Sequence, residues 1–480
     1  MGRAGTDMAK EIQWSRFLAP DAKPSPGEQL GLVVRLSIPV ILAEISSTIM
    51  SYADSAMVGS LGAAATASVG LVATTTWLFN GMGMCIVTGF SIQIAQLLGA
   101  GRLRQVQSVM RQAMMVCTAI GLLFAAAAAG ISGFLPVWLG GGPEVCAGAS
   151  RYFFIYGCGL PAVLLRQAGG SMLQCSGDMK TPSALNILMC VMNVGFNAFF
   201  IFPTRTVAVR GMRFTMYGLG TGVAGAALGT VMSEAVAMTL MMYFVCRRSP
   251  VLRLEKGIPW RLERGCMRTT VRLAVPIALE RVTTSLAQIA GTKIVSPLGT
   301  TAVAANSLAV TAEGFCYMPG YGMAAATTTL VGQSIGAGRR DQAKRFAWLS
   351  VGVGVGVMTC TGVLMYIAAP WIFSMLTPDP AVQTLGAEVL RIEAFAEPLF
   401  AASIVAAGAL RGAGDTLVPS IMELGCMWGV RIPLAMMLVG PLGLHGVWTA
   451  MCTDLCIRGL LFLLRMYRGR WLEIQAISAV

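Results

Sequence analysis

Asp54 stands out chemically because it is an acid inside an apolar stretch, residues 31–57. An ionisable side chain at the centre of a membrane span costs roughly 2.5–3.5 kcal/mol on insertion scales, so it usually persists only where it has a function. Asn186, Asn193 and Asn197 stand at positions i, i+7 and i+11 of another apolar stretch, on one helix face. A carboxylate beside such amides, with most water excluded, is suited to bind and release a proton near neutral pH.

Two plainer interpretations of these residues stay open. In the first, Asp54, which lies near the end of its stretch, is hydrated at the outer surface of the membrane. The asparagines can also form a hydrogen-bonded seam between helices, and for Asn186 this is nearly as well supported as a role in binding.

Four further acids fall in apolar stretches of the carboxyl-terminal half. They are Glu280, Glu313, Glu393 and Glu397, and they are candidates for attracting a cationic substrate. For Glu280 an ion pair with the adjacent Arg281, close to the cytoplasm, is the stronger alternative.

The sequence lacks most motifs of soluble enzymes, and the one motif that it matches stands in the wrong structural context. Gly220-x-Gly222-x-x-Gly225 matches a dinucleotide fingerprint, but we expect no strand before it and it runs into an apolar span. No GxxxxGK[ST] loop exists, so the chain is not expected to use ATP. His445 is the only histidine, which leaves no histidine-based metal site or nucleophile triad. We therefore expect no enzyme, no metal and no organic cofactor.

The composition indicates that the bilayer is the solvent for this chain. It is 55% hydrophobic and 12% charged, with a mean hydropathy of +0.70. Apolar runs of about 20 residues or more recur, which is the length a helix needs to cross the hydrocarbon. Runs that alternate with period two are not evident, so helices are the expected spans. The twelve predicted spans are 31–57, 66–97, 106–134, 146–170, 182–202, 216–246, 268–292, 303–334, 345–368, 382–409, 417–438 and 443–466.

The basic residues alternate between loops, which predicts the orientation. Loops 58–65, 135–145, 369–381 and 438–442 contain no Lys or Arg, whereas the loops between them and both termini are basic. By the positive-inside rule both termini are cytoplasmic, in a bacterial inner membrane. The exceptions are Arg205, Arg210 and Arg213, in the loop between spans five and six. This spread of the net charge of +13 gives no single basic face, so nucleic acid is not an expected partner.

The chain repeats itself with an offset of 237 residues, the difference between Pro39 and Pro276. The same offset relates Gly99-Ala-Gly-Arg102 to Gly336-Ala-Gly-Arg339, and Pro161 to Pro398. A six-span unit duplicated in this way gives two parallel repeats. The polar set around Asp54 is not duplicated, because Gly291 occupies the equivalent position. A shared architectural role for that set is therefore disfavoured.

The predicted fold is an all-α polytopic membrane protein with two six-helix lobes. Its expected parts are a cytoplasmic amino-terminal tail (1–30), an N-lobe (31–246), a basic cytoplasmic linker (247–267), a C-lobe (268–467) and a cytoplasmic carboxyl-terminal tail (468–480).

Several of these motifs resemble the multidrug and toxic compound extrusion (MATE) transporters. They are the early Pro39 followed by Tyr52-Ala-Asp54-Ser-Ala-Met-Val-Gly59, the two Gly-Ala-Gly-Arg loops, and the Gly177-Asp178 and Gly414-Asp415 loops with prolines shortly after them. The resemblance covers about residues 30–467. It is closer to the DinF-like branch, because the glutamate that the NorM-like branch carries in helix seven would fall near Thr284.

The resemblance implies a V-shaped exporter with a coupling site for H⁺ or Na⁺ in its N-lobe. The matching positions are Asp54, Asn193, Asn197 and Thr230. Asn197 replaces the aspartate of the family, which lowers the negative charge and favours protons over sodium.

The expected function is therefore secondary-active efflux of amphipathic, often cationic compounds by a monomer embedded in the lipid bilayer. A flippase for a lipid-linked precursor is the alternative. A flippase should show a strongly basic central cavity, whereas the intramembrane charges named above are largely acidic.

Overall fold

α-Helices dominate the computed structural model, which describes residues 24–209, 212–255 and 257–474. In the amino-terminal half the helices are α1 (Pro26–Gly59), α2 (Ala63–Gly99), α3 (Leu103–Ile131), α4 (Leu135–Trp138), α5 (Pro143–Cys175), α6 (Lys180–Ile201) and α7 (Val223–Tyr243), the last continued by a π-helical turn, Phe244–Arg248. In the carboxyl-terminal half they are α8 (Arg264–Val295), α9 (Thr300–Gly336), α10 (Arg340–Leu376), α11 (Pro380–Ala394), α12 (Glu397–Gly412), α13 (Leu417–Cys426) and α14 (Ile432–Arg468), with a π-helical segment, Met427–Arg431, between the last two. Short 3₁₀ turns span Ser296–Leu298 and Arg470–Glu473.

The predicted all-α membrane architecture is confirmed, and every predicted span overlaps one of these helices. Seven helical segments of the described chain are long and apolar enough to cross a membrane by length and composition alone. The other predicted spans lie on α5, α8, α9 and the pair α11 and α12, which are more polar or interrupted. The last apolar segment, Leu417–Arg468, contains two predicted spans and a backbone break at Gly443 (φ 57°).

The first helix begins earlier than predicted, because the sequence contains a capping box. Ser25 and Glu28 bond reciprocally: the Ser25 N–H donates to the Glu28 carboxylate (2.7 Å), and the Glu28 N–H donates to the Ser25 hydroxyl (3.3 Å). Pro26 follows as the first helical residue, a position that needs no N–H donor. The helix therefore begins about one turn before the predicted span, and the tail boundary at residue 30 stays a prediction. Residues 1–23 and 475–480 of the predicted tails lie outside the described residues.

A β-hairpin precedes α7, which the sequence analysis missed. Strands β1 (Pro203–Val209) and β2 (Met212–Leu219) pair antiparallel, with Thr206 opposite Thr215. Residues 204–217 are rich in Thr, Val, Phe and Tyr, which suit a strand better than the helix predicted from residue 216. A strand thus does precede Gly220, but the hairpin is not the βαβ unit that a dinucleotide fingerprint requires. Arg210, one of the topology exceptions, lies outside the described residues.

The tenth predicted span, 382–409, is broken into α11 and α12. The helix stops at Ala394, and Pro398 sits in the first turn of α12, where its missing N–H is harmless. Its repeat equivalent Pro161 lies inside the continuous helix α5. The two repeats therefore differ at this proline.

The repeat is visible in the turns that join the helices. Gly101 and Gly338 both adopt left-handed conformations (φ 71° and 73°) and are separated by 237 residues. Each closes a Schellman turn, with Arg102 N–H bonded to Leu97 C=O and Arg339 N–H bonded to Ser334 C=O. The glycines at 177 and 414 (φ 90° and 91°) form a second such pair.

Packing divides the chain into two compact units. The amino unit comprises Ser46–Ser91 and Arg104–Arg268, and the carboxyl unit comprises the chain up to Ile45, Ile92–Leu103 and the chain from Thr269. Helices α1 and α2 each contribute to both units. The lobe boundaries drawn from the repeat stay a prediction.

Within the carboxyl unit, equivalent residues of the two repeats meet directly. A Cβ added at Gly99 would lie 1.9 Å from the Gln333 carbonyl oxygen, and one added at Gly336 would lie 1.8 Å from that of Gln96. Both pairs are related by the 237-residue offset. The ends of α2 and α9 thus cross at backbone contact, which glycine permits.

The basic linker is held by α3 of the amino unit. The buried Arg111 guanidinium donates to the carbonyl oxygens of Glu255 (2.5 Å) and Ile258 (3.0 Å) and lies over the Trp260 ring. Gln112 accepts a hydrogen bond from the Glu263 N–H (2.8 Å).

The orientation is testable with cysteines at Gly142 and Arg340. Both are exposed, Gly142 has an ordinary φ (−70°), and a Cβ there meets nothing within 4 Å. In a background without accessible native cysteines, a membrane-impermeant maleimide should label Gly142→Cys in intact cells and Arg340→Cys only after permeabilisation. Equal labelling in intact cells would contradict the predicted orientation.

Candidate coupling site

A chain of hydrogen bonds joins Asp54 of α1 to α6 and α7 inside the amino unit. The Asn197 side-chain N–H₂ donates to Asp54 Oδ1 (2.6 Å) and to Asn193 Oδ1 (3.0 Å). Asn193 Nδ2 in turn contacts the Thr230 hydroxyl oxygen (3.3 Å). The four residues that the sequence assigns to ion coupling are therefore brought together.

Two local features of the sequence position Asn197. Asn193 and Asn197 are one helical turn apart, so both side chains leave the same face of α6, and both are fully buried. Gly229 of α7 faces Asn197, because a Cβ added there would lie 2.0 Å from Asn197 Oδ1. The absence of a side chain at Gly229 lets the amide reach Asp54.

The arrangement leaves one carboxylate oxygen of Asp54 available. Asn197 engages Oδ1, and no described residue donates a hydrogen bond to Oδ2. Asp54 is half-buried, and neighbouring apolar residues including Val58, Ile201 and Ala226 pack into a cluster with the ring of Tyr152. The open oxygen Oδ2 can thus bind one proton.

A second polar cluster crosses the amino unit at Asn186, which lies two turns before Asn193 in α6. Arg166 of α5 forms a two-pronged ion pair with Glu234 of α7 and also donates to Asn186 Oδ1 (3.3 Å). Asn186 Nδ2 donates to the Ser47 hydroxyl of α1 (2.8 Å). Asn186 is therefore part of an inter-helix network, which agrees with the hydrogen-bonded seam considered above.

Sequence reasoning missed Arg166. Glu234 is an acid of the sixth predicted span, and its partner lies 68 residues earlier in the chain. The available signal was an arginine inside span four, since a lone cation in hydrocarbon needs a nearby anion.

Glu280 of α8 is paired, but not with its neighbour in the sequence. The Arg411 guanidinium of α12 donates to Glu280 Oε1 (2.7 Å), and the Ser420 hydroxyl donates to Oε2 (2.6 Å). The partner suggested by the sequence, Arg281, forms no salt bridge among the described residues. A helix projects consecutive residues in different directions, so i, i+1 pairs do not face each other.

Glu313, Glu393 and Glu397 gather in the carboxyl unit, on α9, α11 and α12. All three are buried and close enough to interact electrostatically with one another. Both carboxylate oxygens of Glu393 lack a hydrogen-bond partner among the described residues. Arg431 acts electrostatically on Glu313 and Glu393. A buried carboxyl group without hydrogen-bond donors requires a proton or a counter-charge. This acidic cluster can therefore exchange a proton for a cation.

No group of three or more His, Cys, Asp or Glu side chains within the described ranges is placed to hold a metal ion. Around Asp54, the side-chain oxygens of Asn193 and Thr230 accept hydrogen bonds, whereas Asp54 Oδ2 and the buried Asn197 Oδ1 have no hydrogen-bond partner among the described residues. Asn197 presents its N–H₂ group, not its oxygen, to the carboxylate.

The family comparison matches both repeats. A family model described as MatE matches residues 39–199 and 276–437, together more than half of the chain. The two matched segments begin at Pro39 and Pro276, the residues that define the internal offset.

Relatives and solved structures agree with that match over almost the whole chain. The probable multidrug resistance protein NorM of Thermotoga maritima is 24% identical over 466 residues, covering 95% of this chain and 96% of the relative. The multidrug resistance protein MdtK of Yersinia pestis is 26% identical, covering 93% and 96%. The Vibrio cholerae MATE transporter VcmN superposes with a TM-score of 0.85 at 16% identity, covering 95% of this chain and 99% of that one. A MOP superfamily transporter from Pyrococcus furiosus gives 0.85 at 19% identity, covering 93% and 97%.

The position of Asn197 is testable through Gly229. Gly229→Ala should push the amide away from Asp54, destabilise the protein by about 1–3 kcal/mol through overpacking, and reduce any transport that depends on the site. The matched control is Gly195→Ala on α6, which is exposed and whose added Cβ meets nothing within 4 Å. Thermal unfolding and transport at equal membrane levels are the measurements. Wild-type behaviour of Gly229→Ala would contradict the packing described here.

Proposed function

Because the chain belongs to the MatE family of membrane transporters, we propose that it exports amphipathic, often cationic organic compounds in exchange for inward protons. The multidrug resistance relatives named above support export of this substrate class. The proposed location is a bacterial inner membrane, where the proton gradient across the bilayer supplies the driving force.

The observation that carries the proposal is the environment of Asp54. It is an ionisable group within a span, and its carboxylate has one oxygen bonded by Asn197 and the other open. Charge-assisted hydrogen bonds are stronger than neutral ones. Protonation of Asp54 therefore weakens its bond to Asn197 and loosens the contact of α1 with α6.

A proton suits this site better than sodium. Sodium favours several oxygen ligands with substantial negative charge, and Asp54 supplies the one carboxylate in this four-residue network. Asn197 Oδ1 is buried and has no hydrogen-bond partner among the described residues, but it carries no formal charge. A proton needs only the open carboxylate oxygen of Asp54.

The acidic cluster of Glu313, Glu393 and Glu397 provides a second element of the proposed exchange. Its buried carboxyl groups need compensation by positive charge or by protons. A cationic substrate and protons can meet that need alternately. We assign substrate binding to the cluster and proton coupling to Asp54.

No specific observation favours the flippase alternative. Three buried or partly buried arginines of the described chain are compensated by carboxylates: Arg166 by Glu234, Arg411 by Glu280, and Arg458 by Glu423 and Asp454. The buried Arg111 is bonded to backbone carbonyl oxygens. An uncompensated basic cavity for a pyrophosphate is therefore not supported.

The proposal predicts the driving ion in proteoliposomes. Movement of a cationic dye should follow an imposed pH gradient in sodium-free buffer, and an imposed sodium gradient alone should not drive it. The isosteric variant Asp54→Asn should abolish the coupled movement while folding normally, because the amide keeps the shape but carries no exchangeable charge.

Two results would contradict these expectations. Movement that requires sodium and ignores the pH gradient would make the proton assignment wrong and would make Asn197 a neutral sodium ligand. Wild-type transport by Asp54→Asn at a matched protein level would remove Asp54 from the mechanism.

A further inference from the structure

A groove lies between the beginnings of α1 and α10 in the carboxyl unit. Its volume is about 670 Å³, within the range of roughly 300–1,000 Å³ that small-molecule sites occupy. Pro26, Gln29 and Leu30 form the α1 wall, and α10 contributes the other wall from Lys344 to Val353. We call this the α1–α10 groove.

The α10 wall changes in character along the helix. Lys344 and Arg345 stand at one end and are exposed, and neither forms a salt bridge among the described residues. Trp348 follows one turn later, and Leu349 and Val353 continue the same face. Eight residues of helix cover about 12 Å. The order of cation, aromatic ring and aliphatic side chain matches the passage from headgroups through the interface into hydrocarbon.

The cationic end lies in the first two turns of α10, next to a loop that the charge pattern places in the cytoplasm. Arg339, Arg340, Lys344 and Arg345 cluster there. The cytoplasmic leaflet carries anionic lipids, and each Lys or Arg near its surface contributes about 1 kcal/mol of attraction.

We propose that the α1–α10 groove binds an anionic phospholipid of the cytoplasmic leaflet. The Lys344 ammonium and the Arg345 guanidinium contact the phosphate, for which arginine offers paired N–H donors. One acyl chain lies along Leu30, Leu349 and Val353. The site is separate from the Asp54 network, whose residues all belong to the amino unit.

Charge complementarity favours lipid over two other occupants. A second copy of the chain that docked symmetrically on the same groove would place its own Lys344 and Arg345 against this basic pair. The amino-terminal residues 1–23 contain four basic and three acidic side chains, so they offer no net negative charge to the basic end. An anionic lipid supplies both the negative charge and the apolar tail.

Gly352 provides a way to close the groove without disturbing the protein. It lines the groove, and a Cβ added there meets no heavy atom within 4 Å. Gly352→Phe should therefore fill the space that the acyl chain occupies. Gly356 is one turn further along, is exposed and equally unobstructed, and does not line the groove, so Gly356→Phe is the matched control.

The test is a lipid titration of the purified full-length protein by native mass spectrometry. Phosphatidylglycerol and phosphatidylcholine with identical acyl chains are compared. The wild type should bind one phosphatidylglycerol preferentially. The double variant Lys344→Gln/Arg345→Gln should weaken that binding roughly 30-fold, which corresponds to about 2 kcal/mol for two charges. Arg340→Gln, which removes a nearby exposed charge outside the groove, should have little effect.

Gly352→Phe should abolish the preferred binding, and Gly356→Phe should retain it. Excess inorganic phosphate should not displace the lipid, because the acyl chain contributes to binding. The proposal is overturned if the wild type does not distinguish the two lipids, or if the groove variants bind phosphatidylglycerol as the wild type does. Displacement by phosphate would show that only an anion is recognised, and binding that appears only after removal of residues 1–23 would identify that segment as the occupant.

Discussion

A charge in hydrocarbon must have a partner, and this constraint organises the polar interior of the protein. Arg166 with Glu234 and Arg411 with Glu280 each join different helices through a partly buried ion pair. Removing one member of such a pair leaves an uncompensated charge, which typically costs 3–5 kcal/mol. Paired residues of this kind therefore fix helices in place. The groups that are not fully compensated are the ones free to exchange an ion.

Asp54 and Glu393 stand out against that background. Asp54 has a single amide donor, and Glu393 has no hydrogen-bond donor among the described residues. Each can satisfy the constraint by taking up a proton or by facing a cation. Because the Asp54 network links α1, α6 and α7, a change of charge at one carboxylate alters the contacts of three helices. In the proposed function, this change of contacts couples proton binding to a conformational change.

Hydropathy, loop charge and duplicated turns are local signals, and they predicted the helical membrane fold and the repeat. The coupling set of Asp54, Asn193, Asn197 and Thr230 was predicted by the family resemblance. The sequence could not predict partners that are distant along the chain, such as Arg166 for Glu234 or Arg411 for Glu280. The sequence could not predict the role of Gly229 either, because that role depends on the direction of the Asn197 side chain. The hairpin before α7 was missed because most of it lies in the loop predicted between spans five and six, and only the end of β2 falls in the predicted sixth span.

The central claim is that binding of a cationic substrate and protonation of Asp54 oppose each other. Proton release from the purified protein in weakly buffered solution measures this directly when a substrate confirmed by efflux is added. The account predicts that substrate binding to the wild type releases protons from the acidic cluster and from Asp54, and that Asp54→Asn still binds the substrate but releases close to one proton fewer per bound substrate. Equal proton release by the two proteins would contradict the account.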